Sequence, residues 1–278
     1  TFTADQTING TLTTSGSADA THRVFFKSNT FNTTRTLTCN AVSLTDTDFQ
    51  DITIAGAAAP ASGTRLGDCK GNSGITFGAG VNKYWNLAAG GNWSATGWAT
   101  TGGGTVAANN FPLAQDTAIF QSTGLNSGAT ITFNAAYNIG TIDMSARTSN
   151  TMTLAANATS PPTIYGNWIN GTGITLTGTA VLTFAGRGSQ TITSAGATFT
   201  QLITLNSPSG TLQLQDALTT SNAQSGAFTL TNGTLDLNGK TLTLSASSTA
   251  SFGTGIGTKN ITFNGGTIVI VASGTAFS

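Results

Sequence analysis

Short runs of alternating apolar and polar residues fill the last part of the chain. Between Phe228 and Ala272 the runs FTLTNGTLDLNG, KTLTLSA, NITFNGG and TIVIVA are separated mainly by Gly, Asn and Ser. A period of two places successive side chains on opposite faces of an extended strand, so the pattern predicts half-buried β-strands. The separating residues favour tight turns, because Gly and Asn tolerate a positive φ.

The apolar positions also recur at a longer interval of roughly 23–26 residues, which is typical of solenoids. The pairs are Leu205 and Leu230, Leu212 and Leu235, Leu218 and Leu242, Phe228 and Phe252, Leu235 and Ile261, and Leu242 and Ile268. One coil cannot bury its apolar residues alone, so neighbouring coils must stack. We therefore predict an all-β fold, a single-stranded parallel β-helix of about ten coils that runs continuously through residues 1–278.

Composition supports a strand-rich fold and argues against two other classes. Charged residues make up 7% of the chain, against roughly 25% in ordinary domains, and Glu does not occur. Strong helix formers are scarce, which disfavours a helical protein. Apolar residues reach 38% and are regularly spaced, which disfavours disorder.

The charge pattern makes nucleic-acid binding a poor hypothesis. Ten basic and ten acidic residues balance to zero, and the basic residues are scattered rather than clustered. No apolar run reaches about 18 residues, so the sequence predicts no membrane span. The chain starts at Thr1, and we expect a processed chain or a piece of a longer one. Low charge with many Thr, Ser and Asn predicts an extracellular, cell-surface or virion location.

Ionisable residues concentrate between residues 37 and 80 and supply the best case for catalysis. Glycoside hydrolysis needs two carboxyl groups roughly 5–10 Å apart. Four aspartates could provide them: Asp46, Asp48, Asp51 and Asp68. In a strand Asp46 and Asp48 would share a face, and the spacing of about 20 residues allows Asp48 and Asp68 to stack on neighbouring coils. The competing and favoured interpretation is that these carboxylates cap turns, form hydrogen-bonded ladders or face water.

Residues 43–56 (SLTDTDFQDITIAG) and 67–77 (GDCKGNSGITF) resemble rungs of the pectin-lyase-like right-handed β-helix superfamily. The resemblance covers about 40 residues. It implies a right-handed parallel β-helix, and it supports the fold more than any activity.

A second resemblance covers residues 81–123. The pattern is similar to a segment of bacterial surface β-helix proteins of the autotransporter-passenger kind. The matching residues are Trp85, Gly91, Trp93, Trp98, Pro112, Asp116, Ala118 and Phe120. The resemblance implies a rung with a long outward loop, so we predict a Trp-rich lateral insertion around residues 84–120.

The aromatic residues of this segment have two interpretations. Tyr84, Trp85, Trp93 and Trp98 could form a platform on which sugar rings stack. Alternatively they form a small satellite core that holds the loop against the solenoid, and we favour this second interpretation.

The two cysteines, Cys39 and Cys69, lie about 30 residues apart, near one coil plus a loop. Adjacent coils are about 4.8 Å apart, within reach of a disulfide. The spacing is compatible with a bridge and equally with two buried thiols. The lone His22 cannot form a metal site by itself, and no calcium-binding repeat occurs, so we predict neither metal nor cofactor.

Thr-x-Thr runs at residues 151–153, 191–193 and 241–243 are similar to the threonine arrays of ice-binding solenoids. Such an array needs one pair per coil in register. The intervals between these runs are irregular, so we interpret them as the outward threonines of any β-helix.

Regular strands with little ionisable chemistry predict a mechanical role. We expect a non-enzymatic extracellular or virion structural module, such as the shaft of a phage fibre, spike or adhesin, that presents a rigid surface for attachment. The alternative is a polysaccharide-degrading, tailspike-like hydrolase or lyase that uses the four aspartates. Expected partners are a cell-surface glycan or other structural subunits. A homo-oligomer such as a trimer is compatible with a β-helical fibre, but no coiled coil or interdigitating terminus in the sequence argues for one.

Overall fold

The computed structural model describes residues 1–16, 23–222, 226–246 and 252–272, so His22 lies outside the described residues. Strands make up 52% of the structure and helix 1%. Parallel coils stack into a β-solenoid of about ten turns, which confirms the predicted fold class. The right-handed sense stays a prediction.

Residues 1–77 form a first stack of coils. Its strands are β1 (Gln6–Ser15), β2 (Val24–Lys27), β3 (Arg35–Thr45), β4 (Thr47–Gln50), β5 (Ile52–Ala55), β6 (Gly63–Thr64) and β7 (Gly67–Asp68). A 3-10 turn covers Gly56–Ala58. One parallel sheet contains β1, β3, β5 and β6, and another contains β2, β4 and β7.

A column of four phenylalanines runs along this first stack. Neighbouring rings in the series Phe2, Phe26, Phe49 and Phe77 have centroids 5.3, 5.7 and 6.2 Å apart, in edge-to-face geometry. Edge-to-face contact is a favourable arrangement of aromatic rings. Phe26 and Phe49 pair in register, whereas Phe2 forms its bridge with Ser28 and Phe77 follows the last strand of this stack, so ring contact extends the column beyond the strand register.

The remaining described residues form a second stack, from residue 82 onward. Its strands are β8 (Asn82–Trp85), β9 (Gly91–Asn92), β10 (Trp98–Ala99), β11 (Thr117–Ile119), β12 (Ala129–Phe133), β13 (Asn138–Ile139), β14 (Thr141–Asp143), β15 (Met152–Ala156), β16 (Thr163–Ile164), β17 (Trp168–Ile169), β18 (Ile174–Thr177), β19 (Val181–Phe184), β20 (Ser189–Thr193), β21 (Thr198–Phe199), β22 (Leu202–Leu214), β23 (Leu218–Asn222), β24 (Phe228–Asp236), β25 (Thr241–Ala246), β26 (Phe252–Thr254), β27 (Lys259–Thr262) and β28 (Thr267–Ala272).

The strands of the second stack line up as three faces along its axis. The first face contains β8, β11, β14, β17, β20, the ends of β22 and β24, and β27. The second face contains β9, β12, β15 and β18, continued by β21, β23, β25 and β28. The third face contains β13, β16, β19, the starts of β22 and β24, and β26.

The predicted apolar ladder is confirmed at all six pairs. Leu205 pairs with Leu230 and Leu212 with Leu235. The other pairs are Leu218 with Leu242, Phe228 with Phe252, Leu235 with Ile261, and Leu242 with Ile268. The members from Leu205 to Phe252 are buried in one continuous core, and Ile261 and Ile268 pack against it.

Repeated turns set the corners between faces. Asn238 and Gly239 have φ values of 51° and 73°, and Asn264 and Gly265 have 49° and 84° at the equivalent corner one coil later. Two successive residues with positive φ suit Asn followed by Gly, because Asn tolerates and Gly permits this region.

Strand pairing does not continue from the first stack into the second, between Ile75 and Asn82. Among the described strands, no ladder joins β1–β7 to β8–β28. The two stacks also have separate apolar cores, and a small third cluster between them contains residues from both. The prediction that residues 1–278 form one domain remains a prediction. In the described residues, strand pairing does not run as one continuous series from the first coil to the last.

The Trp-rich segment lies at one end of the second stack. Its strand β10 pairs antiparallel with β8, beyond the first parallel coil, in the order β10, β8, β11. Trp85 and Trp98 pack edge to face with ring centroids 5.1 Å apart. The segment covers the last sheet edge and the apolar core at this end of the second stack, which would otherwise be exposed. The predicted lateral insertion therefore also acts as an end cap.

The ladder can be tested at Leu235, which is buried between Leu212 and Ile261. We expect Leu235→Ala to lower the free energy of unfolding by about 2–5 kcal/mol, because the cavity cannot close between two fixed coils. The matched variant Thr234→Ala changes the neighbouring outward side chain and should cost about 0.5 kcal/mol or less. Chemical denaturation measures both, and equal losses would contradict inward stacking of Leu235.

Candidate functional site

The four candidate carboxylates all lie in the first stack, on or near the side that faces the second stack. Three of them are buried: Asp46 is 2% exposed, Asp48 3% and Asp51 1%. We call the contact between the two stacks the seam. A buried carboxylate needs compensating partners, so the contacts of each one decide its role.

Arg23 lies between Asp46 and Asp48. Its Nε and Nη2 donate to Asp48 Oδ1 at 2.9 and 2.7 Å, and its Nη1 donates to Asp46 Oδ1 at 3.3 Å. Arg65 adds a bidentate pair to Asp46, with both donor–acceptor distances at 2.6 Å. The hydrogen bond to Asp46 raises the pKa of Arg65. Arg23 binds both carboxylates, but Asp46 lies between β3 and β4 with a φ of 51°, so the two residues do not share the face of one strand as predicted. Their oxygens accept hydrogen bonds from arginines rather than facing a substrate.

Asp48 and Asp51 also bind the second stack directly. Asp48 Oδ2 accepts a hydrogen bond from Asn138 Nδ2 at 2.9 Å. Asp51 Oδ2 accepts from Arg187 Nη2 at 2.7 Å, in an ion pair that joins positions 136 residues apart. These carboxylates therefore fasten the first stack to the third face.

Gly71 makes room for the Asp51–Arg187 pair. A Cβ at this position would lie 2.3 Å from Asp51 Oδ1 and 2.5 Å from Arg187 Nη1, and the φ of Gly71 is +74°. Close approach and positive φ both require glycine here.

The prediction that Asp48 and Asp68 stack on neighbouring coils is wrong by one residue. Asp48 pairs with Gly67, and Asp68 pairs with Phe49. The Asp68 side chain is 25% exposed and binds Lys70 Nζ at 3.1 Å and Asn72 Nδ2 at 2.9 Å. The two carboxylates thus do not form the stacked pair that hydrolysis would need.

Gln115 forms a two-point clamp across the seam. Its Nε2 donates to the Leu66 carbonyl at 2.9 Å, and its Oε1 accepts from the Asp68 backbone N–H at 3.0 Å. The clamp gives hydrogen-bond partners to the Leu66 carbonyl, just before β7, and to the Asp68 N–H at the end of β7. Backbone groups that are removed from water need such partners.

Both cysteines are free and buried. Cys39 belongs to the core of the first stack, whereas Cys69 belongs to the seam cluster with Tyr165, Ala114 and Ala185. Burial raises the pKa of the Cys69 thiol and of the Tyr165 hydroxyl well above their ordinary values. A thiol held protonated in this way is a poor nucleophile.

The structure contradicts a sugar-stacking platform built from the predicted indoles. Trp85, Trp93 and Trp98 are 1%, 0% and 1% exposed, so no indole face is open to a ligand. They pack with Phe120 and Phe133 inside the end cap. Tyr84 is half-buried on β8, apart from this cluster. The buried positions of the three indoles agree with the alternative prediction, in which they are packing residues.

A groove follows the seam between the two stacks. One part has a volume of about 480 Å³ and includes Phe25, Gln50, Tyr165 and Asn206 among its lining residues. A second part of about 500 Å³ lies between residues 31–32 of the first stack and the corners of the last coils. Phe31 lines both parts, so they adjoin at this ring.

The groove is rich in amides, hydroxyls and aromatic edges. Among the described lining residues of both parts, none is Asp and the charged side chains are Lys27 and Lys259. Such a lining can hydrogen-bond and stack against a polar ligand, but it lacks the carboxyl pair that glycoside hydrolysis needs.

A search of the described residues finds no group of three or more His, Cys, Asp or Glu side chains placed to hold a metal ion. It also finds no helix that is long and apolar enough to cross a membrane.

No protein-family model, no curated protein and no solved structure matches this chain. The similarity to the pectin-lyase-like superfamily and to autotransporter passengers therefore stays a prediction.

Sequence reasoning missed three residues of the seam: Phe31 on the side of the first stack, and Tyr165 and Arg187 on the side of the second stack. Arg187 carried a usable signal, because it is the single charged residue between Arg147 and Asp216. An isolated charge in such a stretch must face water or meet a distant partner. Nothing in the local pattern indicates that the partner is Asp51.

The seam ion pair can be tested by removing one partner. We expect Asp51→Ala to lower the free energy of unfolding by about 3–5 kcal/mol, because Arg187 loses its carboxylate in a buried setting. Arg187→Met should show a similar loss, and the double variant should lose less than the sum. Asp5→Ala removes an exposed carboxylate and serves as the control. Additive losses in the double variant would show that the pair is not coupled.

The raised pKa values at the seam predict alkaline sensitivity. The neutral forms of Cys69 and Tyr165 are favoured by folding, so their contribution is complete below the ordinary pKa values of about 8.5 and about 10. It is lost as pH rises towards the raised values of the folded state. We expect Cys69→Ala to flatten the fall in unfolding free energy above about pH 8.5, and Tyr165→Phe to flatten it above about pH 10. An unchanged slope in both variants would contradict the burial effect.

Proposed function

We propose that this chain is a non-enzymatic structural module of a cell surface or virion, of the fibre, spike or adhesin kind, and that it presents a rigid surface for attachment to a glycan. The single observation that carries the proposal is the state of the candidate carboxylates. Asp46, Asp48 and Asp51 are buried and paired with arginines, and Asp68 is paired with Lys70.

Rigidity follows from the stacking. Backbone hydrogen bonds join each coil to the next, and the apolar interior is continuous along the second stack. Repeat proteins of this kind resist bending because each coil is fixed by both neighbours. The seam adds ion pairs and the Gln115 clamp at the side of the stack.

The seam groove supplies the best place for a glycan among the described surfaces. Phe31 and Phe25 line the groove, and Arg187 and Lys27 lie over their rings at 5.1 and 5.2 Å from the centroids. The rest of each ring surface is available to the apolar side of a sugar ring. Asn29, Gln50 and Asn206 offer amide donors and acceptors for sugar hydroxyls. The groove runs across several coils, which suits an extended chain of sugars.

A glycan panel incubated with the intact protein tests attachment and catalysis together. We expect binding of at least one surface glycan, with no release of reducing ends or unsaturated sugars. Phe31→Ala should weaken that binding about tenfold, because one aromatic contact is lost. Phe263→Ala removes an exposed ring outside the groove and is the matched control.

Each part of the proposal has its own contrary result. Cleavage products would refute the non-enzymatic assignment. If the Phe31→Ala variant bound the glycan as tightly as the wild-type protein, the attachment site would lie outside the seam groove. Failure to bind any surface glycan would refute the glycan partner.

A further inference from the structure

Lys83 stands at the end of an apolar column of the second stack. On the first face Lys83 pairs with Ala118, Ala118 with Ile142 and Ile142 with Trp168, and these last three side chains are buried. Residues that pair in register on parallel strands point to the same side of the sheet. Lys83 therefore points to the inner side of the stack, as does the buried Trp85 two residues further along β8.

The amine of Lys83 contacts a side-chain amide instead of a carboxylate. Among the ion pairs of the described residues none includes Lys83, and its Nζ donates to Asn110 Oδ1. The Asn110 amide is fixed in turn, because its Nδ2 donates to the Trp98 carbonyl at 3.0 Å. Since Cγ of Asn110 is bonded to Oδ1, the amine lies beside the amide carbon, in the kind of contact from which two groups can react.

A buried carboxylate lines the same cavity. Asp116 is 3% exposed, and its two oxygens accept from the backbone N–H groups of Val81 and Leu113 at 3.0 and 2.9 Å. The cavity has a volume of about 200 Å³, includes Lys83 and Asp116 in its lining, and is large enough for water. Each carboxylate oxygen keeps a second lone pair, so Asp116 can take up a proton through such a water.

The surroundings favour the neutral, nucleophilic form of the amine. Burial lowers the pKa of Lys83, and the charge of Asp116 offsets part of that effect. A desolvated lysine is a better nucleophile because a larger fraction of it is unprotonated.

The other lysines named so far are placed differently. Lys27 lies over an aromatic ring, Lys70 pairs with a carboxylate, and Lys259 binds backbone carbonyls. Lys83 is distinguished from these three by its inward position and its contact with a side-chain amide.

We propose that Lys83 and Asn110 form an isopeptide bond that ties the end cap to β8. The Nζ lone pair attacks Cγ of Asn110, a C–N bond forms, and the Cγ–Nδ2 bond breaks. One proton of the amine passes through Asp116 to Nδ2, which leaves as ammonia. The step consumes no oxidant, reductant or further reactant.

The bond would close a loop around the cap. Trp85, Trp93 and Trp98 all lie between the two joined residues. A covalent closure restricts the unfolded chain and so stabilises the folded cap. This inference does not depend on attachment to a glycan.

The intact mass of the denatured wild-type protein tests the proposal. We expect a mass lower than that of the sequence by one molecule of ammonia, and proteolysis should release a branched peptide that joins the segments around Lys83 and Asn110. Lys83→Arg should restore the full sequence mass. Lys240→Arg changes another half-buried lysine, away from the cap, and should keep the loss.

A wild-type protein with the full sequence mass would overturn the proposal. An Asn–Gly step that cyclises to a succinimide also loses ammonia, but that loss would persist in Lys83→Arg and give no branched peptide, and this result would overturn it as well. Circular dichroism checks the folding of each variant. If Lys83→Arg does not fold, Asn110→Ala replaces it, with the same expected mass.

Asp116→Asn tests the proton transfer. We expect the crosslinked fraction of the freshly made variant to fall at neutral pH and to recover on incubation at alkaline pH, where hydroxide can take up the proton. A structural defect alone would not be repaired by alkali. A crosslinked fraction equal to that of the wild-type protein at neutral pH would overturn the role of Asp116.

Discussion

In-register contact between apolar side chains of successive coils is the interaction on which the structure depends. Leu212, Leu235 and Ile261 sit one above another on three successive coils, and the other ladder pairs repeat that arrangement. Because no coil can bury its apolar side alone, each ladder residue stabilises both neighbours. The same register aligns the outward residues, so a row inside the stack imposes a row outside it. The first stack shows the same arrangement, with Phe26 paired to Phe49 across adjacent coils.

Several of the few charged residues lie at the seam. The seam joins two stacks that share no ladder among the described strands, and its polar contacts are Asn138 with Asp48, Arg187 with Asp51, and the Gln115 clamp. Buried ion pairs contribute modest net stability after desolvation, but they tolerate few alternative arrangements. They therefore fix how the first stack sits against the third face. Engaged in this way, the carboxylates are unsuited to acid–base chemistry, whereas the groove beside them remains open.

The ladder could be predicted from the sequence, because alternating apolar positions that recur about every two dozen residues can all be buried if successive coils stack in register. The seam could not, since Asp51 and Arg187 are 136 residues apart and lie on different stacks. The Asp48–Asp68 pairing was wrong because spacing along the chain does not fix register to the residue. Burial of Trp85, Trp93 and Trp98 in an end cap was compatible with the pattern but not determined by it.

Disulfide trapping between outward positions tests the in-register stacking most directly. Thr219 and Thr243 pair across adjacent coils, so their Cα atoms should lie about 5 Å apart, within the range that a disulfide spans. Ser245 is two residues further along, and its Cα should lie about 8 Å from that of Thr219, too far to bridge. In-register stacking predicts that a disulfide forms rapidly in the variant Thr219→Cys with Thr243→Cys. No disulfide should form in the variant Thr219→Cys with Ser245→Cys. The buried Cys39 and Cys69 should stay reduced in both variants. Equal or reversed crosslinking of the two variants would contradict the parallel, in-register ladder.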